Sequence, residues 1–165
     1  MSIKMLEKKD VLNGVQWALM ERVEVAKKAA YQAYEQATNV ESVAENKYDT
    51  FGLEASYLAH GQSQRVAECE ADLAVFIKYK SQYARLHQII SEGSLVQVRE
   101  QNSETFYFFI SPVAGGTKVT FKGEVITLLS MTSPFGSSLL GKEEGDEIAL
   151  DTAYSHKQYE VENCC

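Results

Sequence analysis

The chain has 165 residues, 45% of them hydrophobic, which is enough apolar mass for one or two cored domains. Sixteen Lys and Arg against 23 Asp and Glu give a net charge of −7. Tight nucleic-acid binding needs Lys and Arg to displace counterions, and neither half of this acidic chain is rich in them, so no sequence-specific nucleic-acid binding is expected and a protein or a metal-loaded site is the favoured partner.

The first residues, MSIKMLEKKD, carry charges throughout and are not expected to be a signal peptide. No later run approaches the ~20 apolar residues of a membrane span, so the expected compartment is the cytoplasm. From Asp10, read as an N-cap, Leu12, Val15, Leu19, Arg22, Ala26, Ala29, Ala33 and Ala37 recur every three or four residues. That spacing predicts a helix with one buried stripe, turning alanine-rich toward its end.

The polar segment TNVESVAENKYD, Thr38 to Asp49, follows as an acidic turn. Beyond it Phe51, Ala55, Leu58, Gln62, Val66, Cys69, Leu73, Phe76, Lys80, Tyr83, His87 and Ile90 keep heptad spacing. They predict a second helix from Tyr48 to about Ile90, weakened near the turn by Gly52 and Gly61. Two matching stripes joined by a short turn make an antiparallel coiled-coil hairpin over 1–92, with its acidic tip near 38–49. Pairing within one chain makes a monomer the expectation.

After Ser91 the pattern shifts to short runs rich in β-branched and aromatic residues, at 94–98, 105–110, 118–121, 125–129, 147–150 and 158–161. Lys122 and Gly123 are spaced for a tight hairpin. Ser133 and Pro134 supply the cap and first turn of a helix that Gly141 ends, placing one short helix over 134–140. Residues 93–165 thus predict a small antiparallel β-sheet domain with one short helix, and the whole chain an α+β fold. Cys69 falls on the helix seam as a small buried thiol, and Cys164 with Cys165 reads as a frayed tail. His60, His87 and His156 have no metal or triad spacing, so no intrinsic metal or cofactor is expected.

The segment SPFGSSLLGKEEGDEIAL, residues 133–150, closely resembles the C-terminal signature of the bacterial transcript cleavage factors GreA and GreB. That signature reads Ser-Pro, a short helix ending in Leu-(Leu/Ile)-Gly-Lys, then Gly-Asp and a hydrophobic strand. The family places an FKBP-like domain after a coiled-coil hairpin, the same order that periodicity gives here. The resemblance implies an RNA polymerase-binding regulator of transcription elongation that is not itself an enzyme. Its hairpin tip would enter the secondary channel of core polymerase and lend carboxylates to a second Mg2+ in the polymerase active site.

Carried over residue by residue, Glu45 and Asn46 match the family's Glu-Asn pair, while Ser42 stands where the family has Asp. Glu41 lies one position away, and on a continuing helix Glu41 and Glu45 share a face at i and i+4. Tyr48 and Asp49 complete the candidate tip. At the docking end Ser133 and Pro134 match, with Thr132 in place of the family's Asp, and Phe135 follows. Two other readings stay open: a coiled-coil interaction module with an inert acidic turn, and an FKBP-like peptide-binding or prolyl isomerase domain, since fold alone does not confer activity.

Overall fold

The computed structural model describes residues 5–39, 50–101 and 104–165. In chain order it contains α1 (Met5–Thr38), α2 (Phe51–Tyr83), β1 (Leu95–Glu100), β2 (Thr105–Ser111), β3 (Lys118–Phe121), β4 (Glu124–Ser130), α3 (Pro134–Leu139), β5 (Glu147–Asp151) and β6 (His156–Cys164). Two compact units result. One joins Met1–Ala18 to Val75–Cys165, and the other is Leu19–Ala74. The division crosses both long helices, so the ends of α1 and α2 belong with the sheet.

Within Leu19–Ala74 the helices run antiparallel. Val23 and Ala26 of α1 bury against Cys69 of α2, with Val66 and Leu73 alongside. Arg22 meets Asp72 at 3.2 Å and Lys27 meets Glu70 at 3.3 Å, so ion pairs flank the seam on either side of its apolar stripe. Ala33 and Ala55 are also buried, as the alanine pattern required for close approach. Leu58, expected on the seam, is half-exposed. Gly61 faces open space and interrupts nothing: α2 runs through it unbroken.

In the larger unit the sheet has the order β3-β4-β2-β1-β6-β5. The expected all-antiparallel sheet is corrected at one place. β4 lies parallel to β2, pairing Tyr107 with Ile126 and Ile110 with Leu129. The chain leaves β2, passes outward to the edge as β3, and turns back through Lys122 and Gly123, both at positive φ, to insert β4 between them. That pair of positive φ values is the hairpin geometry their spacing predicted.

Alternation along β1 sends Val96 and Val98 to one face and Leu95 to the other. On the first face they pack with Ile90, Ile110, Leu139, Ile148 and Val161. On the second, Phe109 meets Phe76 and Tyr83 of α2 edge-on, with ring centroids 6.2 and 5.7 Å apart. Val11, Leu12 and Val15 of α1 are buried in the same unit. The helix ends therefore complete a core that the sheet alone could not close.

Three boundaries differ from expectation. Asp10 is not a cap, because α1 is already helical from Met5. Lys8, within the helix before it, is fully buried and donates to the Arg85 carbonyl at 2.8 Å. α2 ends at Tyr83 and not near Ile90: Arg85 N–H bonds Gln82 O, and Ile90 pairs with Lys142 and Gly141 in the sheet domain. His87 is consequently no seam residue; its Nδ1 lies 3.0 Å from Ser94 Oγ, and burial, with Lys8 nearby, lowers its pKa. Cys164 and Cys165 are not frayed. Cys165 exchanges two backbone hydrogen bonds with Leu95, and Cys164 Sγ donates to Gln88 O.

Candidate functional site

The two candidate regions are the turn joining α1 to α2 and the corner that begins at Ser133. For the first, Glu41, Ser42, Glu45, Asn46, Tyr48 and Asp49 lie outside the described residues. What the structure gives is their frame. α1 ends at Thr38, whose Oγ1 donates to Tyr34 O at 2.9 Å, and α2 begins at Phe51. Thr50 precedes α2 in the N-cap position; its carbonyl accepts from Glu54 N–H and its hydroxyl donates to the Glu54 carboxylate at 3.1 Å. The acidic segment is thus bracketed by two helix ends in one compact unit.

The corner is described in full. Ser133 has extended backbone, φ −67 and ψ 153, and its Oγ accepts from Gly136 N–H at 3.0 Å while donating to Ser130 O at 2.8 Å. Pro134 occupies the first helical turn, where no N–H is required. Gly136 is the residue that motif reading did not single out. A Cβ there would stand 1.9 Å from Ser130 O, so only glycine lets α3 sit against the end of β4. Its signal was present as the fourth letter of SPFG.

Phe135 turns inward, its ring 4.8 Å from Tyr159 and 5.3 Å from Phe108, and so ties α3 to the sheet. Gly141, at φ 81, ends the helix and bonds Ile90 O. Asp146 then accepts Glu143 N–H on its carboxylate at 2.9 Å, and its carbonyl receives Val161 N–H. The signature letters of residues 133–150 thus serve the fold in turn, as cap, first turn, close approach, helix stop and turn closure. Thr132, Pro134, Ser137 and Leu140 are on the outside of this corner, Pro134 and Leu140 among its exposed positions. Ser133 Oγ already has two partners.

No protein-family model matches the chain. Curated relatives do. Over 164 residues it is 26% identical to transcription elongation factor GreA of Xanthomonas campestris pv. campestris, covering 85% of this chain and 95% of the relative. GreA of Xanthomonas axonopodis pv. citri is 24% identical over 165 residues, with the same coverage. In sequence the chain is GreA/GreB-like and divergent. Among solved structures it is similar to GreA factor homolog 1 of Thermus thermophilus, at 22% identity over 91% of this chain and 94% of that one, with a TM-score of 0.37. A GreA/GreB factor from Nitrosomonas europaea gives 24% identity over 47% of this chain and 60% of that one, with a TM-score of 0.34. At those scores the superpositions decide nothing; the sequence match does.

Among the described residues of this GreA/GreB-like chain, no three His, Cys, Asp or Glu side chains come together as a metal site. No described helix is long and apolar enough to cross a membrane. The most buried carboxylate in a described ion pair is Glu100, held in the sheet 2.9 Å from Lys157 Nζ, whose pKa that hydrogen bond raises. It is a structural ion pair of the β1–β6 ladder and lies in neither candidate region.

Proposed function

We propose that the chain is a transcription elongation factor that binds RNA polymerase core, with the sheet domain docking through the outer side of the Thr132–Leu140 corner and the acidic turn entering the secondary channel. The observation that carries this reading is the match to GreA proteins over 95% of their length, joined to a 133–150 signature whose letters are engaged in the fold. Pro134, Ser137 and Leu140 form the outer side of that corner, while Ser133 and Phe135 shape it from within.

In the channel Glu41 and Glu45 would supply carboxylate oxygens to a Mg2+ of the polymerase, and oxygen ligands suit that hard cation. When bound, such a metal would supply Lewis-acid activation of water for hydrolysis of a backtracked RNA. The chain contributes ligands, and the polymerase retains the chemistry. Asn46, Tyr48 and Asp49 are the accompanying tip residues.

A second reading, occupation of the channel without cleavage, is favoured by Ser42, which offers a hydroxyl where the family has an Asp. One experiment separates the two. RNA cleavage by a stalled, backtracked polymerase is measured with the wild type and with Glu41→Ala/Glu45→Ala. Cleavage that is stimulated by the wild type and lost in the variant, with binding retained, supports lent carboxylates. Binding with no stimulation by either protein assigns occlusion.

A further inference from the structure

A cleft of about 510 Å³ opens in the larger unit beside the C-terminal end of α2, within the size range of small-molecule sites. Val75 and Pro112 give it apolar walls, and the rings of Tyr79 and Tyr83, with centroids 6.3 Å apart, give it an aromatic one. Its polar groups are unequally committed. Tyr83 donates its phenol proton to Glu92 at 2.6 Å, and burial together with that bond raises the Tyr83 pKa. His87 uses Nδ1 on Ser94. By contrast, no described residue pairs with the Arg85 guanidinium, the Gln82 amide or the Tyr79 hydroxyl.

The lining is not acidic as the chain is, since its one carboxylate is matched by one guanidinium. Net charge overall is −7, yet Arg85 lines the cleft, Lys78 holds its ammonium 5.2 Å from the Tyr79 ring centroid, and Lys8 sits behind, bonded to the Arg85 carbonyl. Glu92 is the one acid among the lining residues, and one of its oxygens is taken by Tyr83. A guanidinium beside tyrosine rings, with one spare carboxylate oxygen, matches a phosphate attached to a planar ring that carries hydroxyl or amine donors.

We propose that this cleft binds a small phosphorylated ligand of nucleotide type. The phosphate lies on Arg85, the planar ring lies against Tyr79, and a hydroxyl or amine of the ligand donates to Glu92. The site is independent of the polymerase reading, because every group in it belongs to this chain and lies far in sequence from both candidate regions.

The test is a titration of the full-length, isotope-labelled chain, followed by amide chemical shifts, with adenosine 5′-monophosphate, inorganic phosphate and adenosine in separate series. The expected result is saturable shifts around 75–93 and 112 with the nucleotide, at an affinity at least about tenfold above that for phosphate or adenosine alone. Arg85→Gln, whose guanidinium has no described partner to lose, is expected to keep the wild-type spectrum elsewhere and weaken nucleotide binding about tenfold. Tyr79→Leu is expected to bring the nucleotide down to the affinity of phosphate. Phosphate binding as tightly as the nucleotide, an Arg85→Gln variant that binds normally, or the absence of saturable shifts would each overturn the proposal.

Discussion

Lys8 provides the most direct physical test of the fold. It is fully buried near the start of α1, with the Arg85 carbonyl as its hydrogen-bond acceptor, and desolvation pushes its pKa from 10.5 down to about 8. Below pH 8 the lysine is charged in both the folded and unfolded chain, and the folded state carries the whole cost of burying that charge. Between about 8 and 10.5 the unfolded chain holds the proton more tightly than the folded one, so stability rises with pH. Converted at about 1.36 kcal/mol per pH unit, the relief is on the order of 3 kcal/mol. Cys164 and Cys165, whose thiols burial pushes up, act oppositely in the same range, because the folded state keeps their protons longer.

The quantity to measure is therefore a difference. In Lys8→Met the buried charge is gone and Arg85 O loses its donor, at a cost of about 1–3 kcal/mol that does not depend on pH. Urea unfolding of wild type and variant, followed by circular dichroism from about pH 6.5 to 10.5, gives the stability difference at each pH, in which thiol titration enters only through the coupling of Cys164 and Cys165 to Lys8. Wild type should gain on the variant by roughly 2–3 kcal/mol across that interval, with most of the change above pH 8. A difference constant to within about 0.5 kcal/mol would show that Lys8 is not buried as a charge, and the packing of the α1 start would be refuted.

Substitutions at three further positions probe the sheet domain. Gly93 has φ 86, and an added Cβ would lie 2.2 Å from the Tyr83 ring, whereas Gly116 has φ 89 and open space around it. Gly116→Ala should cost about 1–2 kcal/mol from backbone strain alone, and Gly93→Ala clearly more, since Tyr83 must also leave its packing on Phe109; equal costs in thermal unfolding would contradict the Tyr83 placement. Ser133→Ala removes the acceptor for Gly136 N–H and should destabilise by about 1 kcal/mol in the same assay, while Ser133→Asp should restore most of it; no loss in the alanine variant would mean that the cap is not formed.

The parts of the fold that sequence made legible are those set by local chemistry. Ser133, Pro134 and Gly141 mark a helix start and stop because capping and positive φ are properties of a few adjacent residues. Lys122 and Gly123 marked a hairpin for the same reason. The acidic turn was legible as a break between two stripes, and its two flanking helix ends fall at Thr38 and Phe51. What sequence hid depends on distant partners. Ile90 continues the heptad of α2 but is buried by the sheet domain instead, since an apolar residue in register does not say which core receives it. The parallel pairing of β4 with β2 has no local signal, because each strand alternates as it would in either direction. Lys8, in a run of charged residues, gave no sign of burial, and the buried end of the chain at Cys165 is decided by Leu95, far earlier in the sequence.

Whether this GreA/GreB-like chain acts at RNA polymerase is decided by competition. Labelled GreA bound to bacterial core polymerase is titrated with the unlabelled full-length chain. The expected result is saturable displacement of GreA, weakened by substituting Pro134, Ser137 and Leu140 together and retained in Glu41→Ala/Glu45→Ala. No displacement at concentrations far above the GreA dissociation constant, by a chain shown to be folded, would contradict it.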